Sequence, residues 1–351
     1  MALLTHRDPL VVGTALAGWI AERTGARDVR VINAEHPSTG WSSETVLVDL
    51  AWTGDDHEHD EQTHEFVVRL APPTVGTFRD YDLAQQTVAQ LAAAAAGVAI
   101  AAPRLVSDPR WLDAPFLVMP RVRGHLIGEV AAVDPWLISL TEGQRAQVHE
   151  AFVAAVAATH RADLAAAAGV SERDNEAEVD FWADYLDWSS GGAPVPALVE
   201  ALRWCRAHRP AVESAPVLLW GDVRLGNVIF GDDLMPVAVL DWDMASIGAP
   251  EHDVAWFTTL ESTTRALLGQ HLAGFPDRDG TIAQYESLSG RTLHDFGWYE
   301  ILALIRSTAI MTRIGYLHQD AGLPSPLPIE DNPLLALLAA RVASANGKAG
   351  S

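Results

Sequence analysis

Two short polar segments near the middle of the chain place carboxylates and an amide at spacings that suit a catalytic site. The first reads Trp-Gly-Asp-Val-Arg-Leu-Gly-Asn over residues 220–227, and the second reads Val-Leu-Asp-Trp-Asp over residues 239–243. Phosphoryl transfer needs such a set, because a carboxylate accepts the proton of the attacking hydroxyl while oxygen ligands hold Mg²⁺ against a triphosphate. We therefore predict Asp222 as the base, and Asn227 and Asp241 as metal ligands.

Arg224 adds a positive charge two residues after Asp222. A guanidinium at this distance can stabilise negative charge on the transferred phosphoryl group, so we assign Arg224 to the catalytic residues together with Asp222. The sequence contains no Gly-x-Ser-x-Gly nucleophile elbow, Walker A sequence or Gly-x-Gly-x-x-Gly. A serine hydrolase, a P-loop kinase and a Rossmann dehydrogenase are therefore disfavoured.

Length and composition describe an ordinary globular protein. The chain has 351 residues, of which 49% are hydrophobic and 20% charged, and at roughly 150 residues per domain this length predicts two domains. A formal net charge of −22 opposes binding to DNA or RNA, because neutralising phosphates requires clustered basic side chains. The single cysteine, Cys205, excludes a disulfide framework and fits a reducing cytoplasm.

The apolar run at residues 10–20 is predicted as a packed amphipathic helix. It follows Asp8 and Pro9, which form a typical helix start. Elsewhere, no segment reaches the uninterrupted run of about 18 apolar residues that a membrane span needs. We therefore expect a cytoplasmic protein that has no membrane partner.

The order of predicted elements divides the chain into two lobes. Strands are predicted over residues 29–34, 44–52 and 65–70, with a polar loop over 55–64, and they indicate a small antiparallel sheet. A helix is predicted over residues 80–96. Two further strand-like stretches complete this N-lobe, which ends near residue 120.

Beyond residue 120 the pattern changes to long helices. The sequence Thr-Glu-Gly-Gln at 141–144 is a capping-box signature, and apolar residues at helical spacing follow it. Short apolar runs between residues 217 and 240 are strand-sized and carry the polar loops. The predicted fold is α+β, with an N-lobe over 1–120, a mainly helical C-lobe over 121–343 and a disordered tail over 344–351.

The polar segments resemble the motifs of the aminoglycoside phosphotransferase family. In that family the catalytic loop has the form His-Gly-Asp, four residues and Asn, and the metal-binding strand reads Ile/Leu-Asp-Trp/Leu. Residues 240–256 are similar to the branch that includes the kinase-like domains attached to acyl-CoA dehydrogenases. The resemblance implies a bilobal protein-kinase-like fold, ATP and Mg²⁺ as cofactors, and a bracing role for Asp253 behind the catalytic loop.

The resemblance also assigns residues to the nucleotide phosphates. The loop that covers them would be 38–43, with Gly40 as its one glycine, and Arg69 on the third strand would bind the α- and β-phosphates where Lys is more familiar. Gln86 stands where a helix Glu often pairs with that cation, and Trp220 replaces the His of the catalytic loop. A hydrogen bond between Gln86 and Arg69 is therefore expected in place of an ion pair.

Residues 116–124 resemble the hinge with which the family binds adenine. Aligned at Gly124, the backbone C=O of Pro120 and the backbone N–H of Val122 would contact the base. Proline serves at the first position because only its carbonyl is required.

Three other features have simpler interpretations. The run 57–64 contains three His residues but lacks His-Glu-x-x-His spacing, and it is predicted as a solvated hairpin loop rather than a metal site. His160 lies on an apolar helix face and is predicted as a hydrogen-bonded core residue. The acidic stretch 174–188 is either a solvated helix with core aromatics or an acceptor site whose carboxylates, Asp180 and Asp184 among them, attract a cationic substrate.

We expect a small-molecule kinase that moves the γ-phosphate of ATP to a hydroxyl group. The alternative is a nucleotide-binding pseudokinase that acts as a regulatory or binding module, for which Gln86, Trp220 and the single-glycine loop are the arguments. The small-molecule acceptor stays open among aminoglycosides, macrolides, choline-like amines, sugars and hydroxyacyl thioesters, because a shared fold does not choose among them.

Overall fold

The computed structural model describes residues 6–37, 43–53, 61–193, 195–269, 271–329 and 332–349. The N-terminal elements are α1 Pro9–Thr24, β1 Arg27–Glu35, β2 Glu44–Thr53, β3 Glu61–Leu70, α2 Leu83–Ala95, β4 Arg104–Val106 and β5 Phe116–Pro120. The five strands form one antiparallel sheet in the order β1-β2-β3-β5-β4. The predicted antiparallel sheet is confirmed, and β3 lies at its centre.

Helix α1 forms where the sequence predicted it. The Asp8 side chain accepts a hydrogen bond from the Leu10 N–H at 2.9 Å, and Pro9 occupies the first turn, where its missing N–H costs nothing. The buried residues of β2 alternate along the strand, and Val46 and Val48 join Leu16 of α1 in one apolar cluster. This packing places α1 on one face of the sheet.

The prediction of a polar loop over residues 55–64 is wrong at the C-terminal boundary. Strand β3 starts at Glu61, because its pairing with β2 continues as far as Thr53 opposite Glu61. Residues 54–60, which include two of the His residues considered as metal ligands, lie outside the described residues.

Beyond β5 the protein is mainly helical, with short strands between the helices. The elements are β6 His125–Leu126, α3 Pro135–Ser139, α4 Glu142–Thr159, α5 Asn175–Ser189, α6 Pro196–Ala207, β7 Val217–Leu219, β8 Val228–Phe230, β9 Pro236–Val239, β10 Ser246–Gly248, α7 Glu251–Leu268, α8 Arg278–Ser289, α9 Phe296–Asp320 and α10 Pro333–Ala349. Thr141 and Gln144 form the predicted capping box of α4. The α+β prediction is confirmed.

Helix α10 corrects the prediction of a disordered tail that starts at residue 344. The helix continues to Ala349. Leu334, Leu338 and Val342 recur at helical spacing and are buried in the main core, so they hold one face of the helix in place. None of the helices in the described ranges combines the length and the apolar character that crossing a membrane requires.

Candidate active site

The catalytic loop, residues 220–227, runs from the end of β7 to the start of β8 and is fixed by Asp253 of α7. The two carboxylate oxygens of Asp253 accept the backbone N–H groups of Trp220 at 2.8 Å and Gly221 at 2.9 Å. His160 contributes a third contact, with its Nε2 3.0 Å from Asp253 and its Nδ1 2.7 Å from the Tyr285 hydroxyl. Asp253 therefore braces the loop, and His160 is a hydrogen-bonded core residue.

Only glycine fits at position 221. Gly221 has φ +90°, a backbone conformation that side-chain-bearing residues rarely adopt. A Cβ atom there would lie 2.2 Å from the backbone oxygen of Met244. The glycine of the Gly-Asp sequence is thus required sterically, because it lets the catalytic loop approach the segment after β9.

Trp220 fastens the catalytic loop to the segment after β9. Its indole Nε1–H donates to the backbone oxygens of Leu240 at 2.8 Å and Asp241 at 3.1 Å. The ring is fully buried. The side chain therefore ties the catalytic loop directly to the segment that carries Asp241.

Asp222 is held by three donors. Its Oδ2 accepts from Asn227 Nδ2 at 2.7 Å and from Arg224 Nε at 3.1 Å. Its Oδ1 accepts from the indole Nε1–H of Trp256 at 2.9 Å. Burial raises the pKa of Asp222; the Arg224 guanidinium opposes this shift, the Asp241 carboxylate adds to it, and the net change is upward.

Asn227 is hydrogen-bonded to that carboxylate, and the Asp241 carboxylate is near enough to raise its pKa. The Nδ2 group of Asn227 donates to Asp222, so the Oδ1 carbonyl is the atom left to bind a metal. Asp241 has φ +56°, a conformation uncommon outside glycine. Carboxylate and amide oxygens are the ligands that Mg²⁺ prefers. The donor set therefore fits the predicted metal.

Arg69 reaches from the central strand β3 to the same place. Its Nη2 lies 3.3 Å from Asp241 Oδ1 and 3.2 Å from Asp243 Oδ1, and it also donates to Ser43 Oγ at 2.7 Å. We call Arg69, Ser43, Asp241 and Asp243 the arginine cluster. The Arg69 side chain is only 13% exposed, so it is not the surface charge that an isolated strand Arg would be.

Gln86 does not make the expected hydrogen bond with Arg69. Its side chain is buried, and its Oε1 has no partner among the described residues. The preceding residue, Gln85, holds helix α2 in place. It accepts a hydrogen bond from the Ser171 N–H at 2.8 Å and donates one to the Ala245 carbonyl at 3.1 Å. Helix α2 is therefore fastened by Gln85, and Arg69 is neutralised by carboxylates. Gly40 lies outside the described residues.

The backbone at the end of β5 carries Pro120 and Val122, whose role as an adenine-binding hinge stays a prediction. The Arg121 N–H donates to the Glu65 carbonyl of β3 at 2.9 Å. Backbone groups of successive residues in an extended strand point to opposite sides, so the Pro120 C=O and the Val122 N–H face away from β3. The last pair with β4 on that side is Arg104 with Val118. Both groups therefore lie past the end of β4.

The carboxylates of α5 are largely engaged with arginines. Asp180 pairs with Arg206 at 2.8 Å, and Glu178 pairs with Arg173 at 2.5 Å. Burial raises the pKa of Glu178, but neighbouring guanidinium groups, Arg173 first among them, outweigh burial and lower the pKa to about 2. The cationic acceptor therefore stays a prediction, since these two charges already have partners. Asp184 is exposed.

A cavity of about 1200 Å³ approaches the site through Glu129. Glu129 lines the cavity and forms an ion pair with Arg224. Asp222, Asn227 and Asp241 do not line it. The cavity is therefore joined to these residues through the ion pair between Glu129 and Arg224.

Within the described ranges, one group of His, Cys, Asp or Glu side chains has ligand atoms that all lie within 4.8 Å of one another, namely His6, His36 and Glu44. Arg7 Nη1 already pairs with Glu44 at 2.6 Å. The two ring nitrogens of His36 lie 2.9 Å and 3.0 Å from the backbone oxygens of Thr45 and Arg7. These contacts hold the His36 ring between the N-terminal segment and β2, so the cluster is a structural tie between the two.

Two residues of the site were missed by sequence reasoning. Trp256 contacts Asp222, and the buried Arg306 donates from Nη2 to the Gly221 carbonyl at 3.1 Å. One signal for Trp256 was available, because it lies three residues after Asp253 and therefore on nearly the same helix face. No spacing rule pointed to Arg306, which comes from α9.

The sequence profile of the phosphotransferase enzyme family matches residues 34–288. The chain belongs to this family. Curated relatives include acyl-CoA dehydrogenase family member 11 of Pongo abelii, 22% identical over 252 residues that cover 68% of this chain and 32% of the relative. The mouse acyl-CoA dehydrogenase family member 10 is 27% identical over 157 residues, which cover 43% of this chain and 14% of that relative. The chain thus spans about a third, or less, of the length of these relatives.

Solved structures of phosphotransferases share the fold. A candidate aminoglycoside phosphotransferase from Ralstonia eutropha JMP134 superposes with a TM-score of 0.69 at 19% identity, covering 94% of this chain and 98% of that one. The GDP and kanamycin complex of APH(2″)-IIIa gives 0.57 at 15% identity, with 94% and 98% covered. A choline/ethanolamine kinase family protein from Mesorhizobium loti gives 0.53 at 15%, with 95% and 94% covered. The fold is thus that of the kinase-like phosphotransferases.

Proposed function

We propose that this family member is a small-molecule kinase that transfers the γ-phosphate of ATP to a hydroxyl group. The observation that carries the proposal is the position of Asp222, a carboxylate that is 17% exposed, is held by three donors and lies beside Asn227. The Asp241 carboxylate is near enough to raise the pKa of Asp222. A positioned carboxylate next to oxygen metal ligands is the minimum that phosphoryl transfer requires. Related structures with nucleotide support the choice of a nucleoside triphosphate as donor.

The nucleotide would be held by residues of both parts of the protein. Pro120 and Val122 would contact adenine, and Arg69 would bind the phosphates through its planar guanidinium. Asn227 Oδ1 and Asp241 would hold Mg²⁺, which when bound neutralises charge on the triphosphate. The single-glycine loop with Gly40 would cover the phosphates.

Asp222 would carry the proton chemistry. Its carboxylate accepts the proton of the acceptor hydroxyl as that oxygen bonds to the γ-phosphorus, and the bridging oxygen leaves with ADP. Arg224 Nε lies 3.1 Å from Asp222 Oδ2, so its charge would stabilise the phosphoryl oxygens during transfer. The acceptor is a hydroxyl-bearing small molecule. The named relatives and structures, which include aminoglycoside and macrolide phosphotransferases, support that class and no narrower one.

The Asp222→Asn variant tests the proposal. Asn keeps the size of the side chain but removes the proton acceptor, so transfer should slow by about 10² to 10⁴, the usual contribution of a positioned base. Affinity for ATP with Mg²⁺ should stay near the wild-type value. Labelled phosphate transfer would be measured in single turnovers with kanamycin, erythromycin, choline, glucose and 3-hydroxybutyryl-CoA as probes.

The same measurement separates the enzyme from the pseudokinase. An enzyme shows acceptor-dependent transfer that is lost in Asp222→Asn while ATP binding is kept. A pseudokinase binds ATP and shows no transfer in either form. A large loss of ATP affinity in the variant would instead move Asp222 from proton chemistry to metal binding.

A further inference from the structure

The carboxylate of Asp222 is supported unequally on its two oxygens. Both donors to Oδ2, Asn227 and Arg224, belong to the catalytic loop itself. In the part of the chain that the structure describes, Oδ1 accepts its hydrogen bond from another element, the indole Nε1–H of Trp256 on α7, at 2.9 Å. Rotation of an Asp carboxylate about its last bond is only weakly restricted by the side chain itself. The hydrogen bond to Oδ1 therefore restricts rotation of the carboxylate, which the two donors to Oδ2 leave possible.

Trp256 is itself held rigidly in the core. The indole is 4% exposed, and Asp253, three residues earlier on α7, is bonded to the loop backbone. The Arg306 guanidinium lies 4.6 Å from the centre of the Trp256 ring, and its Nη2 donates to the Gly221 carbonyl at 3.1 Å. Helices α7 and α9 thus hold the loop backbone and the Trp256 indole in a fixed position relative to each other.

We propose that Trp256 is a positioning residue for phosphoryl transfer, whose indole N–H holds Oδ1 of Asp222 so that the carboxylate faces the acceptor hydroxyl in one orientation. The assignment rests on the proposed function of Asp222. It goes beyond the loop motif, because Trp256 lies 34 residues away in sequence and on a different element.

The Trp256→Phe variant removes the donor and keeps an aromatic ring under Arg306. Because a hydrogen bond to a charged group is lost and the base gains freedom, kcat should fall by about 10- to 100-fold. The KM for ATP should change less than about twofold, since the indole N–H donates to Asp222 and not to Asp241. Replacing Trp256 with benzothienylalanine, which keeps the shape of the ring and has no N–H, should lower kcat to a similar extent.

Trp298→Phe is the matched control. Its indole is also 4% exposed, and its Nε1–H donates to the Cys205 carbonyl at 3.0 Å. The control therefore loses a buried indole donor of the same kind without touching the catalytic loop. Its kcat should equal that of the wild type.

The experiment measures the kcat of phosphate transfer from Mg-ATP to water or to the best of the five probe acceptors. It compares the wild type with Trp256→Phe, the benzothienylalanine form, Trp298→Phe and Asp222→Asn. Slow transfer in both Trp256 forms with normal Trp298→Phe supports the assignment. Wild-type kcat in the benzothienylalanine form, while Asp222→Asn is slow, overturns it, and this form decides the matter if Trp256→Phe does not fold. If wild type shows no transfer or Asp222→Asn transfers normally, the proposed function fails first and the assignment falls with it.

Discussion

The catalytic loop and the arginine cluster are held in different ways. The loop is fastened by groups that take no part in the proposed chemistry, above all Asp253, which is fully buried. In the arginine cluster, by contrast, Arg69 and Asp241 are bonded to each other, and these are the same groups proposed to bind phosphate and metal. Their side chains are 13% and 26% exposed.

This difference separates a part of the site whose contacts are already formed from a part whose ion-pair partners would exchange on binding. The loop backbone keeps its hydrogen bonds whatever binds, so the geometry of Asp222 is fixed in advance. Under the proposed function, Arg69 and Asp241 would give up part of their mutual contact to a triphosphate and its metal, so nucleotide binding would compete with an existing ion pair. The proposed proton transfer would thus rely on preorganised contacts, whereas the proposed phosphate binding would rely on an exchange of ion-pair partners.

The largest effect is expected from removing the brace of the loop. Asp253→Ala leaves two buried backbone N–H groups and His160 without their acceptor, so the free energy of unfolding should fall by about 3–5 kcal/mol. Asp277→Ala is the control, because Asp277 accepts the Gly280 N–H at an exposed helix start and its loss should cost only about 1 kcal/mol. Urea unfolding measures both. Equal losses would show that the loop is no better anchored than a surface turn.

An intermediate effect is expected in the arginine cluster. Arg69→Met removes the proposed phosphate ligand, so the affinity for ATP with Mg²⁺ should fall by about 10- to 100-fold. Arg110→Met removes an exposed guanidinium that pairs with Asp108 and Glu22, and should leave affinity unchanged. Isothermal titration calorimetry would measure both. Undiminished affinity in Arg69→Met would assign the cluster to structure alone.

The smallest effect is expected at Gln86. Because its Oε1 makes no hydrogen bond in the described structure, Gln86→Met should change the affinity for ATP by less than about twofold. Gln85→Met loses the contacts to Ser171 and Ala245, and should lower the free energy of unfolding by about 1–2 kcal/mol. A tenfold loss of affinity in Gln86→Met would mean that Gln86 supports Arg69 after all.

Local rules were enough for the parts of the protein that are built from near neighbours. The start of α1 at Asp8 and Pro9 and the capping box of α4 depend on contacts within three residues, and both follow the sequence. The spacing of Asp222 and Asn227 likewise brings their side chains together within one loop. Strand β3 was recognised, although its start at Glu61 depends on pairing with β2 and was missed.

The sequence by itself determined which residues carry the proposed chemistry, because Gly221, Asp222 and Asn227 share one loop, and a second acidic turn with Asp241 follows 19 residues after Asp222. Tertiary structure alone decided what holds them. Arg69 meets Asp241 across 172 residues, and Arg306 meets Gly221 across 85. Such contacts depend on how β3, α7 and α9 pack, and packing is set by the sum of many apolar contacts that no local spacing encodes. For the same reason Gln85, not Gln86, fastens α2.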